Sequence, residues 1–418
     1  MNQNNKNKAS CKSLIHVRTA LSFLILMSFM SCFNDMVHEG ASSIIGAFES
    51  FVGASALAIS ITSGLGMFIG YSLRLLTGWA VDKTKRYWTF TIIGYILDLI
   101  MIPLLALVPT NGWGLACTFI ILEKVGKAIK KPAKNSLISF AAKENGTGKS
   151  FAINELLDQI GAFLGPIILT VTYLIVGEIS TYDKYRIGFL VLGIPVVVCL
   201  TILLISRFKY PHPEVFEKEK PEEKKKIFNK PFIFLLIGSA LMALGFVDFP
   251  LFTSHVMSLN IIDNNYLPLI YSFAMLIDAV SSLIFGILYD KKGFITLVIA
   301  TLISSPFCFF FMYFGELRSV LIGAGLWGVG IGAQESVMLS AVTDLSSKDK
   351  RGKAFSVFDI VFGLFWFVGS ILTGWLYTVN SLAMCLVSLL LVVSSGILYV
   401  CSAISVKKEH IKTEKLSS

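Results

Sequence analysis

Three side chains that can exchange protons stand within one helical turn near the start of the chain. Asp35, His38 and Glu39 follow the helical spacings i, i+3 and i+4, which place them on one face of a helix. Two carboxylates at that separation repel each other when both are ionised, and the repulsion favours binding of a proton by one of them. The trio therefore predicts a site of reversible proton binding. The alternative is a solvated cluster at the end of the helix that has no role.

A stripe of positive charge follows on a later helical segment. At 100° per residue its lysines fall on one side of the helix together with Glu123. Lysine acts as a compact point charge that attracts anionic groups. We expect Lys127 and Lys131 to line a ligand cavity. The five lysines of the stripe are Lys124, Lys127, Lys130, Lys131 and Lys134.

Carboxylates on the next helical segment follow this stripe directly. Glu155 and Asp158 stand at i and i+3, and antiparallel helices joined by a short loop can pair their charges. The sequence favours ion pairs between Glu155 and the lysines, and it assigns both acids to the same cavity. An ion pair without a role in ligand binding is the alternative. Asp98, Asp248 and His255 are further ionisable residues in apolar segments, and we expect them to be structural.

Composition identifies the solvent around these helices. Of the 418 residues, 55% are hydrophobic and 15% are charged, whereas soluble proteins carry about 25% charged residues. The mean hydropathy is +0.73, and apolar runs recur at the length of about 20 residues that crosses a bilayer as a helix. These values exclude a water-soluble globule and predict an all-α membrane protein with twelve transmembrane helices. The predicted spans cover residues 18–46, 50–79, 88–108, 113–140, 150–177, 185–206, 231–256, 265–289, 293–314, 318–344, 353–378 and 381–404.

The basic residues predict the orientation of these spans. When both termini are placed in the cytoplasm, thirty of the 36 Lys and Arg fall in cytoplasmic tails and loops or in the cytoplasmic ends of the spans, as the positive-inside rule requires. We therefore expect a multi-pass protein of the cell membrane whose partner is the lipid bilayer. The same rule gives the helix-4 lysines an alternative role as anchors at the membrane surface. A charge inside the bilayer costs at least about 2.5–3.5 kcal/mol, so each buried charge needs a partner or a cavity.

A polar segment divides the chain into two parts. It contains KYPHPEVFEKEKPEEKKK, and its mixed charges and prolines leave no apolar face to bury. We predict a six-helix bundle over residues 1–206, a cytoplasmic linker over 207–230, a second bundle over 231–406 and a short cytoplasmic tail over 407–418.

The two parts repeat each other. GKSFAINELLDQIGAFLGP and GKAFSVFDIVFGLFWFVGS align without a gap at a separation of 204 residues. In this register Asp359 meets Glu155 and Glu335 meets Lys131, so both acids join the candidate cavity residues. The chain is therefore predicted to be two six-helix pseudo-repeats.

A second pattern repeats in the loops after the second and the eighth span. Both loops read G-x-x-x-D followed by a basic residue. The pattern resembles the major facilitator superfamily, in which the loop between helices 2 and 3 carries G-x-x-x-D-[RK]-x-G-[RK]-[RK], although Lys85 stands at the second glycine of that motif. The matching residues are Gly78, Asp82, Lys83 and Arg86 in the first copy and Gly286 and Asp290 in the second.

The resemblance implies a fold and a mechanism. Members of this superfamily have two bundles around a central cavity and expose it alternately to each side of the membrane. By the same resemblance, Asp82 holds the cytoplasmic gate shut, and we expect Arg74 to brace that gate. Gly161-x-x-x-Gly165-Pro166 on helix 5 is similar to a motif linked in the family to antiporters.

Three functions are compatible with these residues. The first is a monomeric secondary transporter that exports a small organic solute in exchange for protons, with Asp35, His38 and Glu39 as the coupling site. The second is uptake or exchange of an organic anion through the basic face of helix 4. The third, of another class, is a transporter-like receptor that binds its ligand without turnover.

Other functional classes lack residues that would support them. Seven scattered cysteines without CxxC and histidine spacing predict neither disulfides nor a metal site. There is no paired nucleophile and base and no cofactor fingerprint, so we expect neither an enzyme nor a cofactor. The Lys and Arg lie in short clusters between apolar runs, which does not favour binding of nucleic acid.

Overall fold

We describe the protein from a computed structural model. The backbone is described for residues 3–145, 147–212, 230–346 and 351–417, and side chains for residues 19–140, 153–212, 230–334, 336–338, 340–346 and 353–408.

The described chain is helical from end to end, because long apolar segments in a bilayer satisfy their backbone hydrogen bonds within the helix. No strand occurs in the described ranges. A 3₁₀ turn, Leu105–Leu107, extends α3, and a π-helical segment, Gln334–Met338, lies between α12 and α13. The helices are α1 Gln3–Phe51, α2 Ala56–Thr84, α3 Tyr87–Leu104, α4 Trp113–Asn145, α5 Thr147–Val176, α6 Thr181–Lys209, α7 Lys230–Gly245, α8 Phe249–Ser258, α9 Leu267–Lys292, α10 Ile295–Ser304, α11 Phe307–Met312, α12 Leu317–Ala333, α13 Leu339–Leu345, α14 Arg351–Val379 and α15 Ser381–Ser417.

These helices confirm the predicted all-α membrane fold. Eleven segments of the described chain are long and apolar enough to cross a membrane. The remaining predicted span is α4, whose charges set it apart from the other eleven. Three spans of the second half are interrupted: α7 with α8, α10 with α11, and α12 with α13 each form one crossing.

The first and the last helix extend beyond the predicted spans. α1 begins at Gln3 and α15 ends at Ser417, so the residues predicted as tails continue these helices, since lysine and glutamate are good helix formers. Most of the predicted linker, residues 213–229, lies outside the described part of the chain.

Equivalent contacts relate the two halves. A Cβ on Gly165 of α5 would lie 2.2 Å from the carbonyl oxygen of Met36 in α1, and one on Gly369 of α14 would lie 2.5 Å from that of Leu244 in α7. Only glycine allows helices to approach this closely. The residues that align in the sequence thus pack against equivalent helices.

The halves touch each other mainly at one end of the bundle. We call the end where α6 stops and α7 starts the linker end, and the opposite end the far end. Near the far end Gly374 of α14 packs on Ser60 of α2, and Lys184 Nζ donates to Asn265 Oδ1 at 2.7 Å. The space between the halves is therefore closed at the far end.

Toward the linker end the halves separate. Arg74 of α2 and Asp359 of α14 interact electrostatically, but among the described side chains they do not form an ion pair. Glu155 on α5 is exposed. Among these described residues, the halves are thus less tightly joined toward the linker end than at the far end.

Candidate functional site

The three ionisable side chains of α1 do not share one environment. His38 is only 3% exposed, whereas Asp35 and Glu39 are half-buried. At 100° per residue the two acids are about 40° apart, and His38 lies about 60–100° away from them. That angle turns the imidazole into the packing between α1, α3 and α4. The prediction that all three side chains share one face of the helix is therefore wrong for His38.

His38 lies between two buried carboxylates. Its Nε2 shares a hydrogen bond with Asp98 Oδ2 at 3.0 Å, and its Nδ1 is 2.7 Å from Glu123 Oε1. An ionised carboxylate only accepts hydrogen bonds, and a neutral imidazole has only one N–H. Both contacts are hydrogen bonds only when the ring carries two protons, so the geometry fits an imidazolium.

Two lysines complete this cluster. Lys130 contacts Asp98 and the side-chain oxygen of Asn34, and its Nζ lies 4.2 Å from the centre of the Tyr95 ring. Lys124 Nζ is 3.0 Å from Glu123 Oε2. Charges of opposite sign therefore alternate along a chain of side chains that we call the charge array. Its members are Lys130, Asp98, His38, Glu123 and Lys124.

The middle of the charge array has donor atoms that suit a metal ion. The donors of His38, Asp98 and Glu123 lie within 4.8 Å of one another. However, Lys130 and Lys124 already neutralise the two carboxylates, and an ammonium group next to each ligand repels a cation. We therefore assign no metal to this cluster.

The basic stripe of α4 is largely neutralised. Besides Lys124 and Lys130, Lys134 Nζ lies 3.8 Å from Asp158 Oδ2, and Lys131 interacts electrostatically with Asp359. Lys127 has Glu39, Glu123 and Asp35 as its nearest acids, but no described carboxylate lies within ion-pair distance of it. Among the described lysines of the stripe, Lys127 is half-buried beside the α1 acids, whereas Lys131 is exposed.

The acids of α5 contact α4 in a different way from the prediction. Asp158, not Glu155, reaches the lysine stripe, and it also accepts from Asn154 Nδ2 at 2.8 Å. Glu155 accepts from Gln159 at 3.4 Å on the exposed side of the helix. The expected pairing is therefore displaced by one turn along α5.

Glu39 joins the two halves. The Tyr271 hydroxyl of α9 donates to Glu39 Oε2 at 2.5 Å, and close by the Ser272 hydroxyl donates to the Phe163 carbonyl oxygen at 3.0 Å. Asp35 accepts from Asn34 Nδ2 at 2.9 Å. Sequence reasoning missed Tyr271, since no local pattern reveals which residue of the second half meets α1.

A carboxylate at the break between α7 and α8 also faces the first half. Asp248 is 5% exposed and accepts from Trp366 Nε1 at 2.6 Å and from Ser370 Oγ at 2.5 Å. Ser63 and Lys124 of the first half lie within interaction distance of the same carboxylate. Lys124 thus pairs with Glu123 and also interacts electrostatically with Asp248.

The side chain of Glu335 lies outside the described residues, although its backbone belongs to the π-helical segment. Such segments occur frequently at functional sites.

The loop motif lies at the linker end in both copies. Asp82 and Asp290 are exposed, and Lys83 Nζ lies 4.8 Å from the centre of the Trp79 ring. Lys85 caps α2 in the left-handed region with φ 53°, and Gly293 caps α9 with φ 61°. Lys85 therefore adopts the kind of conformation that a glycine at this motif position would allow without strain. The other motif residues at this end are Gly78, Arg86 and Gly286.

Arg74 lies one turn further into the bundle. Its guanidinium lies 4.7 Å from the centre of the Tyr71 ring, and its buried Nε has no hydrogen-bond partner among the described residues. It faces the cavity rather than the loop.

Comparison with known proteins places this arrangement among transporters. The sequence profile of the Major Facilitator Superfamily matches residues 24–321. An uncharacterized protein of Mycobacterium tuberculosis strain H37Rv is 33% identical over 372 residues, 87% of this chain and 89% of the relative. An uncharacterized MFS-type transporter of Methanocaldococcus jannaschii is 28% identical over 389 residues, 89% of this chain and 93% of the relative.

Solved structures share the fold at low identity. A point mutant of the nucleoside transporter NupG superposes with a TM-score of 0.70 at 14% identity, over 92% of this chain and 99% of that chain. An inward-facing, unoccupied bacterial homologue of the human lysosomal transporter Spinster gives 0.65 at 14% identity, over 93% and 96%.

Proposed function

This chain belongs to the major facilitator superfamily, and we propose that it exports a small organic solute in exchange for protons. Membership makes it a multi-pass membrane protein and a secondary transporter rather than an enzyme. The observation that carries the proposal is the position of Asp35 and Glu39. They are half-buried acids on α1, and Glu39 contacts Tyr271 of the opposite half.

The glycine motif of α5 supports this assignment through packing. A Cβ on Gly161 would lie 2.1 Å from the carbonyl oxygen of Cys32, and one on Gly165 would lie 2.2 Å from that of Met36. The motif therefore brings the backbone of α5 against α1 at the level of Asp35. Larger residues would push α1 and its acids out of position.

Antiport follows when proton and solute compete for the same acids. A solute that offers an ammonium group or hydrogen-bond donors binds ionised Asp35 and Glu39, whereas protons neutralise them. Each occupant then favours its own conformation of the two halves, because a proton or a solute on Glu39 changes its contact with Tyr271, which joins the halves in this structure.

Uptake or exchange of an organic anion is the second candidate. It is favoured by Lys127, which lacks an ion-pair partner among the described residues, and by the unpartnered Nε of Arg74. Against it, Lys124, Lys130 and Lys134 are already paired with carboxylates. The net positive field of the stripe is therefore much weaker than its lysine count suggests.

Reconstitution tests the proposal. Purified protein in liposomes that contain a pH-sensitive dye is challenged with a panel of cationic, zwitterionic, neutral and anionic solutes. We expect at least one cationic or zwitterionic solute to drive proton movement with the wild type and not with the Asp35→Asn/Glu39→Gln double variant. Solute movement without proton movement would contradict antiport, and a response confined to anions would favour the second candidate. Binding without any movement would favour a receptor.

Orientation is part of the same proposal. The distribution of Lys and Arg supports a cytoplasmic linker end. Cysteines introduced at Lys85 and Lys224 should react with a membrane-impermeant thiol reagent only from the cytoplasmic side. Labelling of either position in intact cells would reverse the orientation.

A further inference from the structure

The charge array consists mostly of buried side chains, so a change in its total charge has a large energetic effect. Asp98 is fully buried, Glu123 is 2% exposed and Lys130 is 3% exposed, so water does not screen these charges. Burying ions costs several kcal/mol for each ion unless partners compensate. The sum of charges along the array therefore matters, and it depends on how many protons His38 carries.

We propose that the proton exchanged during transport binds at His38, and that Glu123 and Lys124 transmit its presence to Asp248 in the second half. The proposal rests on the proton-coupled function above and moves the coupling site from Asp35 and Glu39 to the interior of the first half.

With His38 protonated, Glu123 has two cationic partners, His38 and Lys124, so part of the positive charge of Lys124 acts across the interface. In that state Asp98 is neutralised by Lys130 and His38, and Glu123 receives a hydrogen bond from His38 at 2.7 Å. Lys124 has the most exposed side chain of the array at 23%, so it is the cation best able to move. Its positive charge then attracts Asp248 and holds the halves together at the closed far end.

Loss of the proton reverses this balance. Neutral His38 can donate to only one of its two carboxylates, and the net charge of the array falls from +1 to zero, so Lys124 becomes the main cationic partner of Glu123. Lys124 is drawn to Glu123 and its attraction to Asp248 weakens. The contact between the halves is lost, and the conformation with an open far end becomes more favourable. A proton taken up from the far side would thus close the far end behind it.

Other ionisable groups also surround His38. Asp35 and Glu39 lie on the same helix, but they point toward the cavity. The groups that act on His38 electrostatically are Asp98 of α3 and Glu123 and Lys127 of α4. The helices packed against α1 carry further ionisable groups: Tyr95 of α3, Lys124 and Lys130 of α4, Asp158 of α5, Cys199 of α6 and Tyr271 of α9. Of all these groups, Asp98 and Glu123 contact the imidazole within 3 Å.

Hydrogen bonds fix the position of the Asp248 carboxylate within the second half. Trp366 and Ser370 fix both of its oxygens from within the second half. The carboxylate therefore moves with that half as a rigid body, and any change in the position of Lys124 alters the attraction between the halves rather than the conformation of Asp248.

Spin-label distances test the proposal without a known solute. Labels at Thr89→Cys and Ile295→Cys, exposed positions at the linker ends of α3 and α10, report the opening of that end in protein that lacks Cys11 and Cys401. From about pH 5 to about pH 9.5 we expect the ratio of short to long distances to rise at least about threefold in the wild type. His38→Gln should give the high-pH distribution at every pH.

Two further variants keep the test decisive if His38→Gln does not fold. Lys124→Gln changes the partly exposed end of the array, and Asp248→Asn changes its partner; both should abolish the pH response. His255→Gln, which removes a buried histidine outside the array, is the matched control and should retain it. A full pH response in Lys124→Gln and Asp248→Asn would overturn the proposal. Loss of the response only in the Asp35→Asn/Glu39→Gln double variant would return the proton to the α1 acids and leave proton-coupled transport itself intact.

Discussion

Around His38 the first half places two carboxylates and two lysines, whereas around Phe246 the second half places three aromatic rings. The two residues occupy equivalent positions, since His38 lies two residues beyond Met36, which Gly165 contacts, and Phe246 lies two residues beyond Leu244, which Gly369 contacts. The Phe246 ring centre is 4.6 Å from that of Phe307, 6.1 Å from that of Trp327 and 5.8 Å from that of Trp366.

The correspondence extends to α4 and α12. Gly126 packs on Asp98 of α3, and Gly330 packs on Phe246 and on Ser304 of α10. Counting from these glycines, Glu123 matches Trp327 and Lys130 matches Gln334. Charged side chains of the first half thus have aromatic or neutral counterparts in the second.

Packing at this position between the helices does not require charged side chains. The second half fills the same space with aromatic rings, and replacing buried ion pairs by well-packed apolar residues is often neutral or stabilising. The charge array therefore needs a reason other than stability. One such reason is a response to protonation, which a set of aromatic rings cannot provide.

The two halves also differ in the continuity of their first helix. α1 runs without interruption from Gln3 to Phe51, whereas its counterpart breaks between α7 and α8. Side chains satisfy carbonyl groups at the break: Trp327 Nε1 donates to Val247 at 3.1 Å, and the Ser388 hydroxyl donates to Gly245 at 2.7 Å. The break places Asp248 at the interface between the halves.

Removing one cation of the array should have the largest effect on stability. Lys130→Met leaves Asp98 buried with one positive partner fewer, and breaking such a pair costs about 3–5 kcal/mol. The free energy of unfolding in mild detergent measures the loss. Gln334→Met at the equivalent position is the control and should change it by less than about 1 kcal/mol. Equal losses in the two variants would show that the halves are not electrostatically different.

Loss of the hydrogen bond between Tyr271 and Glu39 should shift the conformational equilibrium. A hydrogen bond to a charged group contributes about 1.5–3 kcal/mol, so Tyr271→Phe should favour the open far end by at least about tenfold. Accessibility of an introduced cysteine near Ser60 to a thiol reagent measures this change. Ser272→Ala, which loses a neutral hydrogen bond, should have a smaller effect. Identical accessibility in Tyr271→Phe and the wild type would remove this contact from the account.

The sequence predicted the helical architecture well, because span length and repeat register are local or periodic signals. It correctly placed Gly165 and Gly369 at equivalent positions. It did not separate His38 from Asp35 and Glu39, since a rotation of about 60–100° around one helix depends on how that helix packs. The pairing of Asp98 with His38 and that of Tyr271 with Glu39 arise only when distant segments meet.

The gate motif should affect rate more than affinity. Asp82→Asn changes an exposed residue that contacts no ligand, so we expect severalfold slower transport with ligand affinity largely unchanged. Transport rates and binding constants in liposomes measure both. Asp290→Asn is the matched change in the second half. Unaltered rates in the Asp82 variant would leave the carboxylate as an ordinary helix end.

The smallest effect is expected at the two loop caps. Lys85→Gly relieves a left-handed residue, and we expect it to raise the free energy of unfolding by less than about 1 kcal/mol. Gly293→Ala is the opposite change at the cap of α9, where φ 61° and ψ −142° suit only glycine, and it should lower the free energy of unfolding by about 1 kcal/mol or more. Chemical denaturation of both variants checks these values. Destabilisation by Lys85→Gly would mean that contacts of the lysine side chain outweigh the strain.

Solute-driven proton movement in His38→Gln liposomes tests the central claim most directly. With a solute from the panel that drives protons through the wild type, we predict that His38→Gln exchanges the solute across the membrane but moves no protons. Phe246→Leu, at the equivalent position of the second half, should do both. Full proton movement in His38→Gln would contradict the account, because the charge array would then be a structural feature and the proton would travel elsewhere.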